Sequence, residues 1–326
     1  MFLRLFKGSQ PVFIIIIPLF GVLLWLRSFL SPFVIPDHLA SMPFYLFADQ
    51  WVNANELVSR ITALGFLIVT ALMLARINTK FLLIPSRTYL PSAIFLIIAS
   101  AYPHMQYFHP VIPSLLILLL AVNRMLDAYK KPGLSYNFFD AAILVSLSSL
   151  FYAKMIVFIL MVWLGLIYLR QFNWREWAMS LIGMLLPYLF YISWEYLYGR
   201  DPVGVFELLR ENFAGHSSTK YLEYPYYLFI GCLILLILVA SIKMMALSWS
   251  LKIIVRQFSK LFLWMFIITA VMSVFFLGAA GLLTIAAVPA AYLISFYFFN
   301  MRSDVAGEMI FFLFLLAFVS VQVLAR

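Results

Sequence analysis

The amino-acid sequence predicts an all-α fold, a polytopic bundle of about eleven transmembrane helices in a single integral membrane domain over residues 1–326. Hydrophobic residues make up 65% of the chain and charged residues only 11%, and the mean hydropathy is +1.03. The apolar runs are continuous, about 15–22 residues long, and lack the alternation of strands. Because backbone polar groups inside lipid must be satisfied within the protein, these runs are expected to be helices.

Charged hinges divide the chain into eleven apolar runs. Some runs are shorter than the roughly 20 residues that a perpendicular helix needs, so we expect tilted or buried helices. The apolar stretch between Asp140 and Arg170 is too long for one crossing, which favours a tight hairpin around Lys154. The first run has no convincing small-residue cleavage site after it and is expected to be an uncleaved signal anchor. The predicted spans are 11–30, 57–75, 88–102, 111–123, 138–153, 155–170, 177–198, 224–242, 261–278, 280–299 and 308–324.

The 22 Lys and Arg residues sort onto alternate hinges, fifteen on one side and seven on the other. The positive-inside rule then places the N-terminus in the cytoplasm. It also accounts for the net charge of +9, so no nucleic-acid partner is expected. The cytoplasmic set is Arg4, Lys7, Arg76, Lys80, Arg87, Arg124, Lys130, Lys131, Arg170, Arg175, Lys243, Lys252, Arg256, Lys260 and Arg302. The outer set is Arg27, Arg60, Lys154, Arg200, Arg210, Lys220 and Arg326.

Two outer loops, 31–56 and 199–223, are long enough to hold short surface helices. In the first, Pro43 opens a segment with apolar residues at the i, i+3, i+4 and i+7 positions. That spacing is typical of an amphipathic helix that lies in the membrane surface. The apolar positions are Phe44, Phe47, Ala48 and Trp51. In the second loop, Pro202 precedes Phe206, Leu209 and Phe213, which predicts another surface helix.

Two acidic residues in the first outer loop are candidate catalytic groups. The sequence contains no phosphate-binding GxxxxGK[ST], GxGxxG, HExxH or GxSxG motif, so chemistry has to come from scattered polar residues. A carboxylate at the membrane surface can act as a general base or bind a divalent cation beside a phosphate. Asp37 and Asp49 are the candidates, and the alternative is that both are solvated loop residues.

All four histidines fall on the predicted outer side, at positions 38, 104, 109 and 216. Imidazole groups with carboxylates can form a metal site. The spacing of His38, His104, His109 and His216 fits no specific ligand pattern, however, and rings in such loops also lie at headgroup depth. Whether a metal binds, and which one, is left open. The four histidines remain candidates to line an outer cavity.

The basic residues on the predicted outer side are exceptions to the excess of Lys and Arg on the cytoplasmic side. This unusual placement favours a functional role for them. Arg and Lys near a bilayer surface bind lipid phosphate or diphosphate groups. Alternatively, Arg60 pairs with Glu56 one helical turn earlier, and Lys154 only snorkels. The phosphate-binding candidates are Arg60, Lys154, Arg200, Arg210 and Lys220. Glu195, near the outer end of its span, is a further candidate for the same cavity.

Several segments resemble GT-C type glycosyltransferases. They are Pro43-Phe-Tyr-Leu-Phe, Asn55-Glu-Leu-Val-Ser-Arg60, Ser86-Arg-Thr-Tyr-Leu-Pro-Ser-Ala, Tyr102-Pro103, Ser148-Ser-Leu-Phe-Tyr-Ala-Lys154 and Pro187 to Trp194. The resemblance covers residues 11–200, with 201–326 as additional C-terminal helices. The chain is also similar to small polytopic membrane proteins of Bacteroidota, which implies the cytoplasmic membrane of a bacterium.

The resemblance to the GT-C family implies transfer of a sugar from a polyprenyl-phosphate donor at the outer leaflet. It further implies a carboxylate base in the first outer loop, often assisted by a divalent cation, and Asp37 occupies that region. His38 follows it where the family has a second acid.

Two alternatives to an enzyme remain open. The first is a non-catalytic subunit or scaffold of an envelope assembly or secretion machine, with a membrane-protein partner; the short loops and the unpaired Asp37 favour it. The second is a transporter of lipids or small solutes, against which the spans carry few midplane charges and show no inverted repeat.

Overall fold

The computed structural model of the chain is helical. It describes residues 12–30, 42–84, 86, 88–129, 136–199, 204–214, 224–247, 249, 251–276, 281–301 and 303–324. These ranges contain no strand, which agrees with the predicted all-α class. The α-helices are α1 (Phe13–Leu30), α2 (Pro43–Val52), α3 (Glu56–Phe81), α4 (Leu90–Ala99), α5 (Val111–Asp127), α6 (Tyr136–Ser149), α7 (Ile159–Leu169), α8 (Trp174–Leu197), α9 (Gly204–Ala214), α10 (Tyr224–Leu247), α11 (Ile253–Phe275), α12 (Gly281–Phe299) and α13 (Asp304–Leu324). Two 3₁₀ helices cover Pro103–Met105 and Ala153–Phe158.

Each of the eleven predicted spans overlaps one of these helices. Within the described ranges, six helices are long and apolar enough to cross a membrane: α3, α8, α10, α11, α12 and, over Val305–Leu324, α13. The segments Ile14–Leu30, Leu90–Ala99 and Ala153–Leu169 are apolar but shorter. Six such helices in one chain are typical of a multi-pass membrane protein.

One compact unit comprises Met1–Phe33, Arg60–Tyr107 and Ser217–Arg326. Its centre is α4, whose residues from Leu90 to Ile98 are all buried. Helix α12 packs along α4, and α1 and α13 also contact it, while α10 and α11 pack against α12. The start of α4 is marked by Thr88, whose hydroxyl accepts a hydrogen bond from the Leu90 backbone N–H at 3.2 Å. Pro91 in the first turn costs no backbone hydrogen bond there.

The other compact unit comprises Val34–Ser59 and Phe108–His216. Its centre is α6, which packs between α5 and α8. Close approach of α6 and α8 requires Gly183, because a Cβ atom there would lie 2.7 Å from the Phe139 carbonyl oxygen. The Ser146 hydroxyl also donates to the Met184 carbonyl at 2.7 Å. Helix α6 ends at Ser149 and the chain continues through the second 3₁₀ helix into α7, so the helix is interrupted where the hairpin is predicted.

Both short helices predicted in the outer loops are present, as α2 and α9. Pro43 stands at the start of α2, where its fixed φ suits a helix and its missing N–H costs nothing. The inward residues of α2 include Tyr45, while Phe47 and Trp51 are 70% and 74% exposed. Helix α9 buries Val205 and exposes Phe206. Two apolar side chains of α2 therefore point away from its own unit.

Candidate functional site

The predicted site residues fall into three groups. Asp37, His38, Arg200, His216 and Lys220 lie outside the described residues. Those that are buried are Arg60, His109, Lys154 and Glu195. Asp49 is half-buried, and His104 and Arg210 are exposed. Arg60 and Lys154 are buried cations, and this property distinguishes them from ordinary surface charge.

A cluster of apolar side chains surrounds the turn between α6 and α7, and we call it the turn cluster. Five elements contribute to it: α2 with the residue before it, the turn itself with the last part of α6, the second 3₁₀ helix, α8 and α9. Both short helices therefore cover the same turn. The buried members are Met42, Leu150, Ala153, Tyr188 and Val205, and the partly buried ones are Phe44, Leu147, Ile156, Tyr191, Ile192, Leu208, Leu209 and Phe213.

Phe44 attaches the beginning of α2 to this turn. Its backbone N–H donates to the carbonyl of Leu150 at 3.2 Å. Its ring meets Phe151 edge-on at 5.7 Å between centroids and Tyr191 at 6.3 Å. Edge-to-face aromatic pairs of this kind add roughly 0.5–1.5 kcal/mol each beyond the area they bury. Helix α2 is thus fixed to the turn by both its backbone and its side chains.

Lys154 lies in the turn itself, directly after Ala153 of the cluster, and only 5% of its surface is exposed. Its Nζ atom lies 6.0 Å from the centroid of the Tyr152 ring. Burial lowers the pKa of the Lys154 ammonium group below its ordinary value, because removal from water disfavours the charged form. An anion beside the ammonium group would oppose that effect.

Glu195 lies on the face of α8 that contacts the turn cluster. Tyr188 and Ile192 belong to the cluster, and Glu195 follows them at the i+7 and i+3 positions, which share one side of a helix. Arg210 is not brought to the turn, because α9 turns Val205, Leu209 and their neighbours inward. Among the described residues, Lys154 and Glu195 are therefore the two buried predicted site residues on the elements around this turn.

In the unit that contains α4, Arg60 is buried in α3. His104 is exposed in the first 3₁₀ helix, with its ring 5.4 Å from that of Tyr102. Tyr102 in turn lies 4.8 Å from Tyr226 between ring centroids. His104 therefore stands at the edge of an aromatic group, as rings at headgroup depth commonly do.

Asp49 takes part in a hydrogen-bond network that holds α2. The amide of Asn53 donates to the Asp49 carboxylate and lies 3.0 Å from both the Tyr45 hydroxyl and the Phe108 carbonyl. The Tyr45 hydroxyl also donates to the Phe108 carbonyl at 3.0 Å. His109 follows directly in the chain and is buried. This geometry gives Asp49 a structural role in fixing α2 against the segment before α5.

Within the described residues no group of three or more His, Cys, Asp or Glu side chains is arranged to hold a metal ion. The sequence-based expectation of a divalent cation involved Asp37 and two histidines that lie outside those ranges.

Sequence reasoning missed the polar contacts that organise the helices. Ser149 donates to the Ser146 carbonyl at 2.6 Å, so the Tyr188 hydroxyl, 2.6 Å from Ser149, is the donor in that pair. Three serines in α6, at positions 146, 148 and 149, were a visible signal for a polar helix face.

No protein-family model, curated protein or solved structure matches the chain.

Proposed function

We propose that the chain is a GT-C-like protein of a bacterial cytoplasmic membrane that transfers a sugar from a polyprenyl-phosphate donor at the outer leaflet. In this proposal the chain is an integral membrane domain with about eleven spans and a cytoplasmic N-terminus. A single observation carries it: the Lys154 side chain is buried at a turn covered by two short helices. In the resemblance to the GT-C family, this turn corresponds to the outer hairpin that carries a lysine.

Burial of a cation carries a cost in desolvation free energy. Removing an ammonium group from water costs several kcal/mol unless an opposite charge or hydrogen bonds compensate it. A lipid phosphate can add negative charge to the contacts that Lys154 already makes, and it reaches the membrane surface without leaving the bilayer. The exposed Phe47 and Trp51 of α2 suit insertion into the lipid interface, which would bring the attached turn to headgroup depth.

In the proposed reaction, a carboxylate base takes the proton of an acceptor hydroxyl. The acceptor oxygen then attacks the anomeric carbon, the bond from that carbon to the phosphate oxygen breaks, and polyprenyl phosphate leaves. Lys154 stabilises the negative charge of the leaving phosphate. Asp37 is the proposed base, because the hydrogen bond from Asn53 supports a structural role for Asp49. Arg60, Arg200, Arg210 and Lys220 are further candidate phosphate ligands.

The test uses the full-length protein in proteoliposomes with a radiolabelled polyprenyl-phosphate hexose as probe. Binding is measured by retention of label, and transfer by release of label from the lipid. We expect Lys154→Met to weaken binding about tenfold or more, since loss of one charge-assisted hydrogen bond is worth roughly 1.5–3 kcal/mol. Lys154→Arg should retain most of the binding because it keeps the charge.

Lys252→Met is the matched control, because Lys252 is exposed at the start of α11. It should bind the lipid as the wild type does. Equal binding by Lys154→Met and wild type would contradict the proposal. Asp37→Asn should abolish release of label while retaining binding, and unchanged release would remove Asp37 as the base.

A second candidate function is a non-catalytic subunit of an envelope assembly. The observation that favours it is the structural engagement of Asp49 with Asn53, which leaves Asp37 as the remaining acidic candidate for the base. Binding of the labelled lipid without any release, together with a partner that co-purifies in constant ratio, would favour this function over transfer.

A further inference from the structure

Three buried side chains converge on Ser100, the residue that ends α4. The indole N–H of Trp25 donates to the Ser100 hydroxyl at 2.8 Å. The side-chain amides of Gln106 and Gln322 both donate to the Ser100 carbonyl, each at 2.7 Å. Gln106 is 2% exposed and Gln322 is 8% exposed. Two uncharged amides from distant parts of the chain are therefore enclosed beside one carbonyl oxygen.

The shared carbonyl determines how both amides are oriented. A carbonyl oxygen only accepts hydrogen bonds, so each glutamine must present its NH₂ group to Ser100 and direct its Oε1 atom elsewhere. Both Oε1 atoms are buried, and neither has a hydrogen-bond partner among the described residues. Leaving a buried acceptor unsatisfied is unfavourable. An electropositive ligand beside Ser100 would satisfy both of these acceptors.

The surroundings also favour positive charge. Ser100 follows the carboxyl end of α4, where the helix dipole contributes partial negative charge. The dipole acts here without competition from bulk water, since α4 is buried along its length. Membrane proteins use the carboxyl ends of short buried helices, together with side-chain oxygens, to bind Na⁺. Neutral amide oxygens suit a monovalent ion better than a divalent one, which needs carboxylates to balance its charge.

We propose that the Oε1 atoms of Gln106 and Gln322 bind a monovalent cation of the Na⁺ or K⁺ type at the carboxyl end of α4. Each Oε1 lies within about 5 Å of the Ser100 carbonyl oxygen, from the amide geometry and the hydrogen-bond length. Shared binding requires the two Oε1 atoms to lie within about 5 Å of each other, which is twice an ordinary distance from such an ion to oxygen. The inference is independent of the proposed sugar transfer, because it concerns other residues and another ligand class.

The experiment measures ion binding to the purified full-length protein in detergent. Radioactive Na⁺ and, for K⁺, radioactive Rb⁺ are the probes, and the thermal unfolding midpoint is compared in NaCl, KCl and N-methylglucamine chloride at equal ionic strength. We expect saturable binding of about one ion per chain and a midpoint that rises with the logarithm of the preferred ion's concentration. Choline-type cations that are too large for the site should not substitute.

Gln322→Met should lower the affinity for the ion about tenfold or more, because it removes one oxygen ligand. Gln171→Met, at an exposed glutamine, is the control and should bind as the wild type does. If Gln322→Met fails to fold, Gln322→Glu is the second variant. It keeps the oxygen ligand, adds a negative charge and should increase the affinity for the ion. If the wild type binds neither ion saturably, the proposal is overturned. Water would then be the partner of the two Oε1 atoms. Unchanged affinity in both Gln322 variants would overturn it as well.

Discussion

Arg170 and Glu176 form a two-point ion pair across the loop between α7 and α8. The Nη2 atom of Arg170 lies 2.8 Å from Oε1 of Glu176, and Nε lies 3.3 Å from Oε2. Both side chains are largely buried. The guanidinium also contacts the carbonyl of Ala128, 3.5 Å from Nη1. The pair therefore ties the ends of α5, α7 and α8 together at one point.

We predict that Glu176→Gln lowers the free energy of unfolding by about 2 kcal/mol or more, because it removes the Glu176 charge from beside a buried guanidinium. Arg170→Lys should cost less but still destabilise, since an ammonium group cannot make the paired contact. The denaturation midpoint in detergent measures the effect. Arg175→Gln, one residue before Glu176 and exposed, should leave the midpoint unchanged. If Glu176→Gln matches the wild type, the pair does not hold these ends.

Gly183 gives a second prediction, because two helices meet at its Cα. An added Cβ would lie 2.7 Å from the Phe139 carbonyl oxygen and 3.2 Å from the Ala142 Cβ. Gly183→Ala should therefore separate α6 from α8 and destabilise the protein by about 1–3 kcal/mol. Gly231→Ala in α10 is the matched control, since no atom lies within 4 Å of its added Cβ. It should be neutral or stabilising by up to about 1 kcal/mol. Thermal unfolding in detergent distinguishes the two, and equal midpoints would contradict the close packing.

The positions of the helices could be predicted from the sequence because each is an apolar run or has a clear start signal. The bounds were less accurate where charged residues lie inside a helix. The span predicted to begin at 261 belongs to a helix that starts at Ile253. Arg256 and Lys260 were assigned to a hinge, but long basic side chains can extend to water from within a helix.

The contacts between distant segments could not be predicted from one sequence. The amide of Gln322 reaches the Ser100 carbonyl across 222 residues, and the Tyr292 hydroxyl reaches the Leu83 carbonyl across 209. Neither pair has a spacing that a local pattern can indicate. Lys154 is buried and Arg210 is exposed, and the exposure of Arg210 depends on which face of α9 meets the turn cluster. Helix periodicity alone does not decide that face when both sides carry apolar residues.

Leu82, directly after α3, adopts a left-handed backbone conformation with φ of 49°. That conformation costs a residue with a Cβ atom about 1–2 kcal/mol and costs glycine little. We predict that Leu82→Gly is more stable than Leu82→Ala, because both lose the half-exposed side chain but only glycine removes the strain. The difference in the free energy of unfolding should be about 1 kcal/mol. An alanine variant as stable as the glycine variant would show that this turn is not strained.

Helix α2 provides the last prediction, on how the turn cluster meets the membrane. Phe47 and Trp51 are strongly exposed, although both are large and apolar. If they insert into the lipid interface, a spin label at Phe47→Cys should lie about 5–10 Å below the lipid phosphates. The label is placed in a Cys232→Ser background, since Cys232 is the single native cysteine. Its depth in nanodiscs is measured from collisions with oxygen and with a water-soluble nickel complex.

Gln50→Cys in the same background is the control, because Gln50 is exposed on the polar side of the helix. Its label should collide mainly with the nickel complex. A Phe47 label that is as accessible to the nickel complex as the Gln50 label would place α2 in water. The turn that carries Lys154, to which α2 is fixed through Phe44, would then have no support for a position at headgroup depth. A lipid phosphate would lose its route to the buried ammonium group.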